Sequence, residues 1–336
     1  MDTTKQPIKI FVTGATGYIG GSVLTRLLEP SQAGKWDITV LTRSESTFSK
    51  FKELGVTPLL GTLDDAGLMI KAASEADVVM HLADADHLPG VQALIKGCSS
   101  GGKRRIYIHN SGTAELADDS KGDYTSDKVV NDLDLETIHS FPLTQPHRDV
   151  DSYIFDNCQG FESIIVCPPT IYGLGTGPFK HLSVQIPMLI KAYIKYGYAA
   201  TIGKGLNVWN NVHIEDLADF YLLLLEKALS GKASTGREGW YFCESGENYL
   251  KDVVAEIGKS LYDYKLIQQA EPVQFKPEEV DKYLGSYGWQ GIASNSRCKA
   301  DRARALGWKP SGTRGTIFDN IKAEVQAVLN QENLLK

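Results

Sequence analysis

Three glycines spaced three residues apart, Gly14, Gly17 and Gly20, carry the clearest chemical signal in this chain of 336 residues. They follow an apolar run over residues 8–12 and open a segment with Val23, Leu24, Leu27 and Leu28 at helical spacing. Between a strand and a helix such glycines form a phosphate cradle. Gly14 permits the tight turn, Gly17 lets the backbone approach a pyrophosphate, and Gly20 allows close helix–strand packing. A glycine triplet alone is a weak signal; preceded by the first strand and followed by a second over residues 38–41, it predicts a dinucleotide site. That second strand runs out through Leu41-Thr42-Arg43-Ser44, with no carboxylate before Glu45. An acid near that point would accept from a ribose 2′-hydroxyl, whereas the Arg43 guanidinium and the Ser44 hydroxyl suit a 2′-phosphate. The expected cofactor is therefore NADP rather than NAD.

The elements needed to hold such a site are also visible. Strand-like runs over residues 8–12, 38–41, 57–60, 76–83, 105–109 and 163–167 alternate with helical segments, which predicts a doubly wound parallel α/β sheet. Between residues 112 and 134 the chain becomes acidic (Asp118, Asp119, Asp123, Asp127, Asp132, Asp134), a long connection read mainly as a solvated loop on the ligand side of the sheet. A helix is expected over residues 146–158 and a closing helix over 316–334. Glycines loosen the pattern beyond Gly173. The expected division is a nucleotide-binding domain of residues 1–175, rejoined by 208–232, with a smaller substrate lobe from 176–207 and 233–336.

Composition removes several functional classes. With 35 basic and 41 acidic residues the net charge is −6, which offers no footprint for nucleic acid or an anionic membrane surface. No apolar run approaches the ~18 residues of a membrane span. The five cysteines are scattered without CxxC spacing, and the seven histidines form no metal constellation, so a reduced cytoplasmic protein without a metal is expected. The expected partner is a small-molecule substrate, with a homodimer left open.

The segment Thr13-Gly14-Ala15-Thr16-Gly17-Tyr18-Ile19-Gly20 resembles the TGxxGxxG signature of the extended short-chain dehydrogenases/reductases, which include epimerases, dehydratases and dihydroflavonol-type reductases. Gly61-Thr62-Leu63-Asp64 is similar to that family's adenine-contacting loop, and His81-Leu82-Ala83-Asp84 to its fourth-strand motif. Pro168-Pro169-Thr170-Ile171-Tyr172-Gly173 resembles its segment beside the nicotinamide. Val212 to Ala218 and Leu306 to Pro310 match two further motifs, so the resemblance spans nearly the whole chain. It implies a Rossmann sheet with a smaller C-terminal lobe. It also implies cofactor contacts from Gly14, Thr16, Gly17, Tyr18, Ile19, Gly20, Thr62, Leu63, Leu82, Ala83, Asp84, Pro168, Thr170 and Ile171, beside Arg43 and Ser44.

Family chemistry rests on a Ser and a YxxxK pair, in which the Tyr hydroxyl moves the substrate proton and the Lys lowers its pKa. Ser111 fits the Ser position. The literal YxxxK, Tyr124 to Lys128, stands only 13 residues after Ser111. In the family the Tyr lies on the helix entering the next strand, where this chain has Phe141/Gln145 or Leu143/His147. The sequence thus resembles an atypical member. His147 is a candidate replacement for the Lys, and Tyr124 a candidate acid only if the acidic loop folds over the nicotinamide. Tyr172, Phe179, His181, Trp209, Asn210 and His213 are expected near the cleft, with core packing the commoner role for each aromatic. His213 and Asp216 are expected to cap or orient a helix. The expected function is NADPH-dependent reduction of a small carbonyl, imine or enone. The alternatives are an NAD(P)-dependent epimerase, dehydratase or isomerase, and a non-catalytic NADP-sensing regulator.

Overall fold

Short runs of β-branched and apolar residues form the central strands because each is covered on both faces, as parallel sheets require. The computed structural model describes residues 6–335. Ten strands position the site: β1 (Ile8–Thr13), β2 (Trp36–Thr42), β3 (Thr57–Leu60), β4 (Val78–His81), β5 (Ile106–Asn110), β6 (Glu162–Cys167), β7 (Thr170–Tyr172), β8 (Val208–His213), β9 (Trp240–Phe242) and β10 (Gly246–Tyr249). Seven of them make one parallel sheet in the order β9-β6-β5-β4-β1-β2-β3. This is the doubly wound Rossmann arrangement. Strand order reverses at the neighbours β1 and β4, and the crevice outside their C-terminal ends is where such sheets bind ligands.

Helices α1 (Tyr18–Leu27), α2 (Phe48–Glu53), α3 (Ala66–Glu75), α4 (Leu88–Cys98), α5 (Leu135–His139) and α6 (Arg148–Asp156) fall in the connections of the sheet. The sheet core holds Phe11, Val12, Val40, Val79, Met80, Ile108 and Val166 at 1% exposure or less. Burial of each contributes about 1.5–3 kcal/mol. A second core forms where α7 (Gln185–Tyr196), α9 (Leu250–Asp263), α10 (Pro277–Tyr287) and α12 (Ile317–Gln331) converge. A three-stranded sheet, β10-β8-β7, joins the two.

The structure redraws the expected division. Trp240–Phe242, assigned above to the smaller lobe, pairs with β6 as the edge strand of the main sheet. Ala303 on α11 (Asp301–Ala305) and Trp308 pack into the sheet core, with Phe220 of α8 (Ile214–Leu229) 5.3 Å from the Trp308 ring. A strand of three aromatics is too short for periodicity to reveal, and its partner is distant in sequence. The acidic connection also differs from a solvated loop. Asp132 is fully buried and accepts from the backbone amides of Phe242 and Arg302, while Asp118 accepts from Asn295. Among the described residues no helix is long and apolar enough to cross a membrane.

Candidate functional site

The glycine turn leaves β1 with Gly14 at φ +79°, a conformation L side chains rarely adopt. A Cβ on Gly14 would collide with the Leu82 carbonyl and lie 2.6 Å from the Ala83 nitrogen. One on Gly20 would collide with the Gly14 carbonyl. Gly17 donates to that carbonyl at 2.8 Å and stands at the start of α1, beside unpaired amides that favour an anion. The Tyr18 hydroxyl donates to the Gly173 carbonyl at 2.7 Å, pinning the turn to the connection after β7. Both the cradle and its neighbours Leu82, Ala83 and Asp84 therefore stand at the sheet's reversal point and fit a dinucleotide phosphate group.

Arg43 and Ser44 are exposed just past β2. The Ser44 hydroxyl accepts from the Ser46 amide at 3.3 Å and so caps the next turn. Thr62 donates its amide to Asp65 at 2.6 Å, which shapes the loop carrying Leu63 after β3. Thr170 is buried in β7 and Ile171 is half-buried beside it, while the Pro168 carbonyl accepts from Thr113.

Beneath this rim the parallel register lines up Thr13, His81 and His109 across β1, β4 and β5. The His81 Nε2–H donates to the Asp84 carbonyl at 3.2 Å, so Nδ1 accepts from the Thr13 hydroxyl at 2.7 Å. Burial pushes the His81 pKa down to about 4, and it also holds His109 well below its ordinary value. His109 Nδ1 lies 3.2 Å from the Tyr107 hydroxyl. Ser111, one residue past β5, has its Oγ 2.5 Å from Asp151 Oδ2 on α6. Asp151 is fully buried, and burial raises its pKa well above the usual carboxylate value. Nearby, Arg148 donates to Glu115 at 3.0 Å with both side chains buried.

His147 begins α6 in a left-handed conformation (φ +67°). Its Nδ1 meets Asp86 Oδ1 at 2.6 Å, and its ring packs against Gly112. Burial pushes the His147 pKa down, but the Asp86 carboxylate outweighs it and leaves the group raised. Ser111 and, beside Gly112, His147 thus stand at the C-terminal edge of the sheet. Tyr124 does not join them through any bond in the structure. It is half exposed, and its carbonyl accepts from Asn295 at 3.1 Å while Thr125 donates to the Leu206 carbonyl. Lys128 sits 5.6 Å from the Phe141 ring centre, in a cavity of about 280 Å³ shared with Glu115, Gln145 and Arg297.

The residues expected at the cleft are mostly structural. Phe179 packs on Phe51, the Trp209 indole donates to the Ser294 carbonyl, Asn210 accepts from the Cys298 amide, and Tyr172 donates to the Gly315 carbonyl. His181 meets the Gly175 carbonyl, and His213 caps α8 by accepting from the Glu215 amide. Sequence reading passed over Asp151, His109 and Asp86. Two histidines in otherwise apolar strands were the available signal, since an imidazole in a buried strand needs a partner.

The NAD dependent epimerase/dehydratase family model matches residues 10–235. A protein of Acremonium sp described as oxidase ucsJ is 30% identical over 330 residues, covering 90% of this chain and 93% of its own. The 4-hydroxy-2-methyl-3-oxo-4-farnesyl-3,4-dihydroquinoline-1-oxide ketoreductase of Stigmatella aurantiaca is 23% identical, with 88% and 85% covered. A dTDP-glucose 4,6-dehydratase from Bacillus anthracis, solved in complex with NAD, aligns with a TM-score of 0.66 at 15% identity over 97% of this chain and 98% of its own. That likeness shows the fold.

Proposed function

The chain belongs to the NAD-dependent epimerase/dehydratase family, and within that family we propose that it is an NADPH-dependent oxidoreductase reducing a small carbonyl, imine or enone. The family and its relatives support nicotinamide-linked enzyme chemistry in general. The finer reading rests on the exposed Arg43 just past β2, a guanidinium that suits a 2′-phosphate at the point where an NAD site would carry an acid. NADPH bound in the cradle supplies hydride. The chain's own groups would bind and orient: the α1 amides would hold phosphate, His147 the ribose, and Ser111 would offer its hydroxyl to the substrate oxygen.

Two relatives are described as an oxidase and a ketoreductase, and a hydride-transfer site serves either direction. A nucleotide-sugar substrate would need cations for its diphosphate. Lys191, one of the lysines available in the smaller lobe, is instead paired with Glu332 at 2.7 Å. The reading also places the protein in the cytoplasm, acting on a small molecule.

The test is NADPH consumption, followed by absorbance, against aldehydes, ketones, imines and enones, with nucleotide sugars run in parallel. Turnover of a carbonyl, imine or enone supports the reading. Tight NADPH binding with no turnover of any compound points instead to a sensor, and turnover confined to nucleotide sugars to an epimerase or dehydratase.

A further inference from the structure

In the usual arrangement a tyrosine hydroxyl beside the serine supplies the proton, yet α6 places no tyrosine against Ser111. What it places there is Asp151, with Oδ2 2.5 Å from Ser111 Oγ and the side chain fully buried. The other Asp151 oxygen, Oδ1, lies 3.6 Å from His109 Nε2, and neither atom has a hydrogen-bond partner. This unpartnered pair points inward from the serine, at the edge of the sheet where the cofactor cradle opens.

Charge counting decides the protonation state. Three buried groups meet here: the carboxyls of Glu115 and Asp151 and the guanidinium of Arg148. Arg148 bonds Glu115 directly at 3.0 Å, and no such bond reaches Asp151. An isolated buried carboxylate costs several kcal/mol, so the proton stays on Asp151. His109 is no counter-ion. Its ring is fully buried in β5, stacked 5.3 Å from His81, with Tyr107 at Nδ1; a second buried charge there would carry the same cost. The directions of the Asp151 and His109 pKa values agree, one raised and the other lowered, both mainly by burial. His147, also near, is already engaged with Asp86.

The geometry points to Asp151 as a proton-holding positioning residue that acts through Ser111, a role resting on the reductase reading above. As hydride reaches the carbonyl carbon, the C=O π bond breaks and the Ser111 O–H proton passes to the carbonyl oxygen. The Asp151 O–H bond breaks in turn, and its proton restores the Ser111 hydroxyl. The carbonyl is reduced to an alcohol and the dihydronicotinamide is oxidised. Asp151 is left as a carboxylate facing His109 Nε2, and it regains a proton from water before the next cycle. The tyrosine's task is thereby divided between the buried Ser111 hydroxyl and an acid behind it.

The test reads the acid directly in the whole protein. Infrared difference spectra of wild type minus Asp151→Asn at pH 7.5 are expected to show a protonated carboxyl C=O stretch that moves in D₂O. The same band is expected to shift in Ser111→Ala, which leaves Asp151 in place but removes its partner. With any carbonyl reduced in the panel, Asp151→Asn is expected to lower kcat at least about 100-fold, while Kd for NADPH by fluorescence changes less than about two-fold. Circular dichroism checks that both variants fold. A missing band, a band indifferent to Ser111→Ala, or full kcat in Asp151→Asn each overturns the proposal. Those outcomes with NADPH turnover intact would leave the reductase reading standing. No turnover of any carbonyl, imine or enone would overturn that reading, while the infrared arm still decides where the proton resides.

Discussion

His147 Nδ1 and Asp86 Oδ1 stand 2.6 Å apart, joining the first turn of α6 to the loop after β4 across the mouth of the site. A left-handed backbone at a histidine costs about 1–2 kcal/mol, and the ion pair helps to offset it. Because the His147 pKa is raised in the folded state, its stabilisation is complete below the unfolded value near 6.5 and fades as pH rises through the folded value. Asp86→Asn is therefore expected to return the His147 titration, followed by NMR, to or below the ordinary histidine value. It should also cost about 0.5–1.5 kcal/mol at pH 6 and less at pH 8.5, measured by urea unfolding.

The proposed NADP preference rests on Arg43. NADPH is expected to bind more tightly than NADH, and Arg43→Ala to lose roughly 1.5–3 kcal/mol of that difference, the scale of a charged hydrogen bond. Fluorescence titration of both nucleotides checks it; equal affinities in the wild type would remove the NADP assignment.

Gly14→Val is expected to abolish binding of either nucleotide. Its φ of +79° disfavours any β-branched residue, and the new side chain would collide with the Leu82 carbonyl. Calorimetry on the folded variant reads the loss.

His81 makes the fold acid-sensitive. Its folded pKa of about 4 lies below the unfolded value near 6.5, so the unfolded chain binds the extra proton first. Stability is expected to fall as pH drops from about 6.5 toward 4, by up to about 3 kcal/mol from this group. His81→Gln removes that part of the pH dependence, which urea unfolding at pH 7 and pH 5 would measure.

Ser111→Ala is expected to slow turnover clearly, within the roughly 10²–10⁴-fold range of a proton-transferring group, and to leave NADPH affinity nearly unchanged. Tyr124→Phe should have a much smaller effect, because its backbone is fastened to Asn295 and not to the Ser111 cluster. Loss of all turnover in both Tyr124→Phe and Lys128→Ala, with the fold intact, would reverse that assignment.

The nucleotide cradle was legible because every requirement is local. A strand period, three glycines and a helical stripe within residues 8–28 dictate a turn that few other residues could make. Arg43 is read in the same way, from its distance along the chain to that turn. Cap residues such as His213 are local too, and the structure finds His213 at the start of α8, accepting from Glu215.

The chemistry behind Ser111 was not legible, since it depends on partners distant in sequence. Asp151 lies 40 residues from Ser111, and only the packing of α6 against the sheet brings their oxygens to 2.5 Å. His109 and His81 meet through β4–β5 register, and Glu115 acquires Arg148 through the same helix. The aromatic run Trp240–Phe242 became a strand because β6 offered a free edge. Sequence by itself determined the cradle, its sheet and the family, because backbone conformation and hydrophobic period are properties of neighbouring residues. The identity of the group that holds a proton was decided by tertiary structure alone, because burial and charge pairing arise only when distant segments exclude water together.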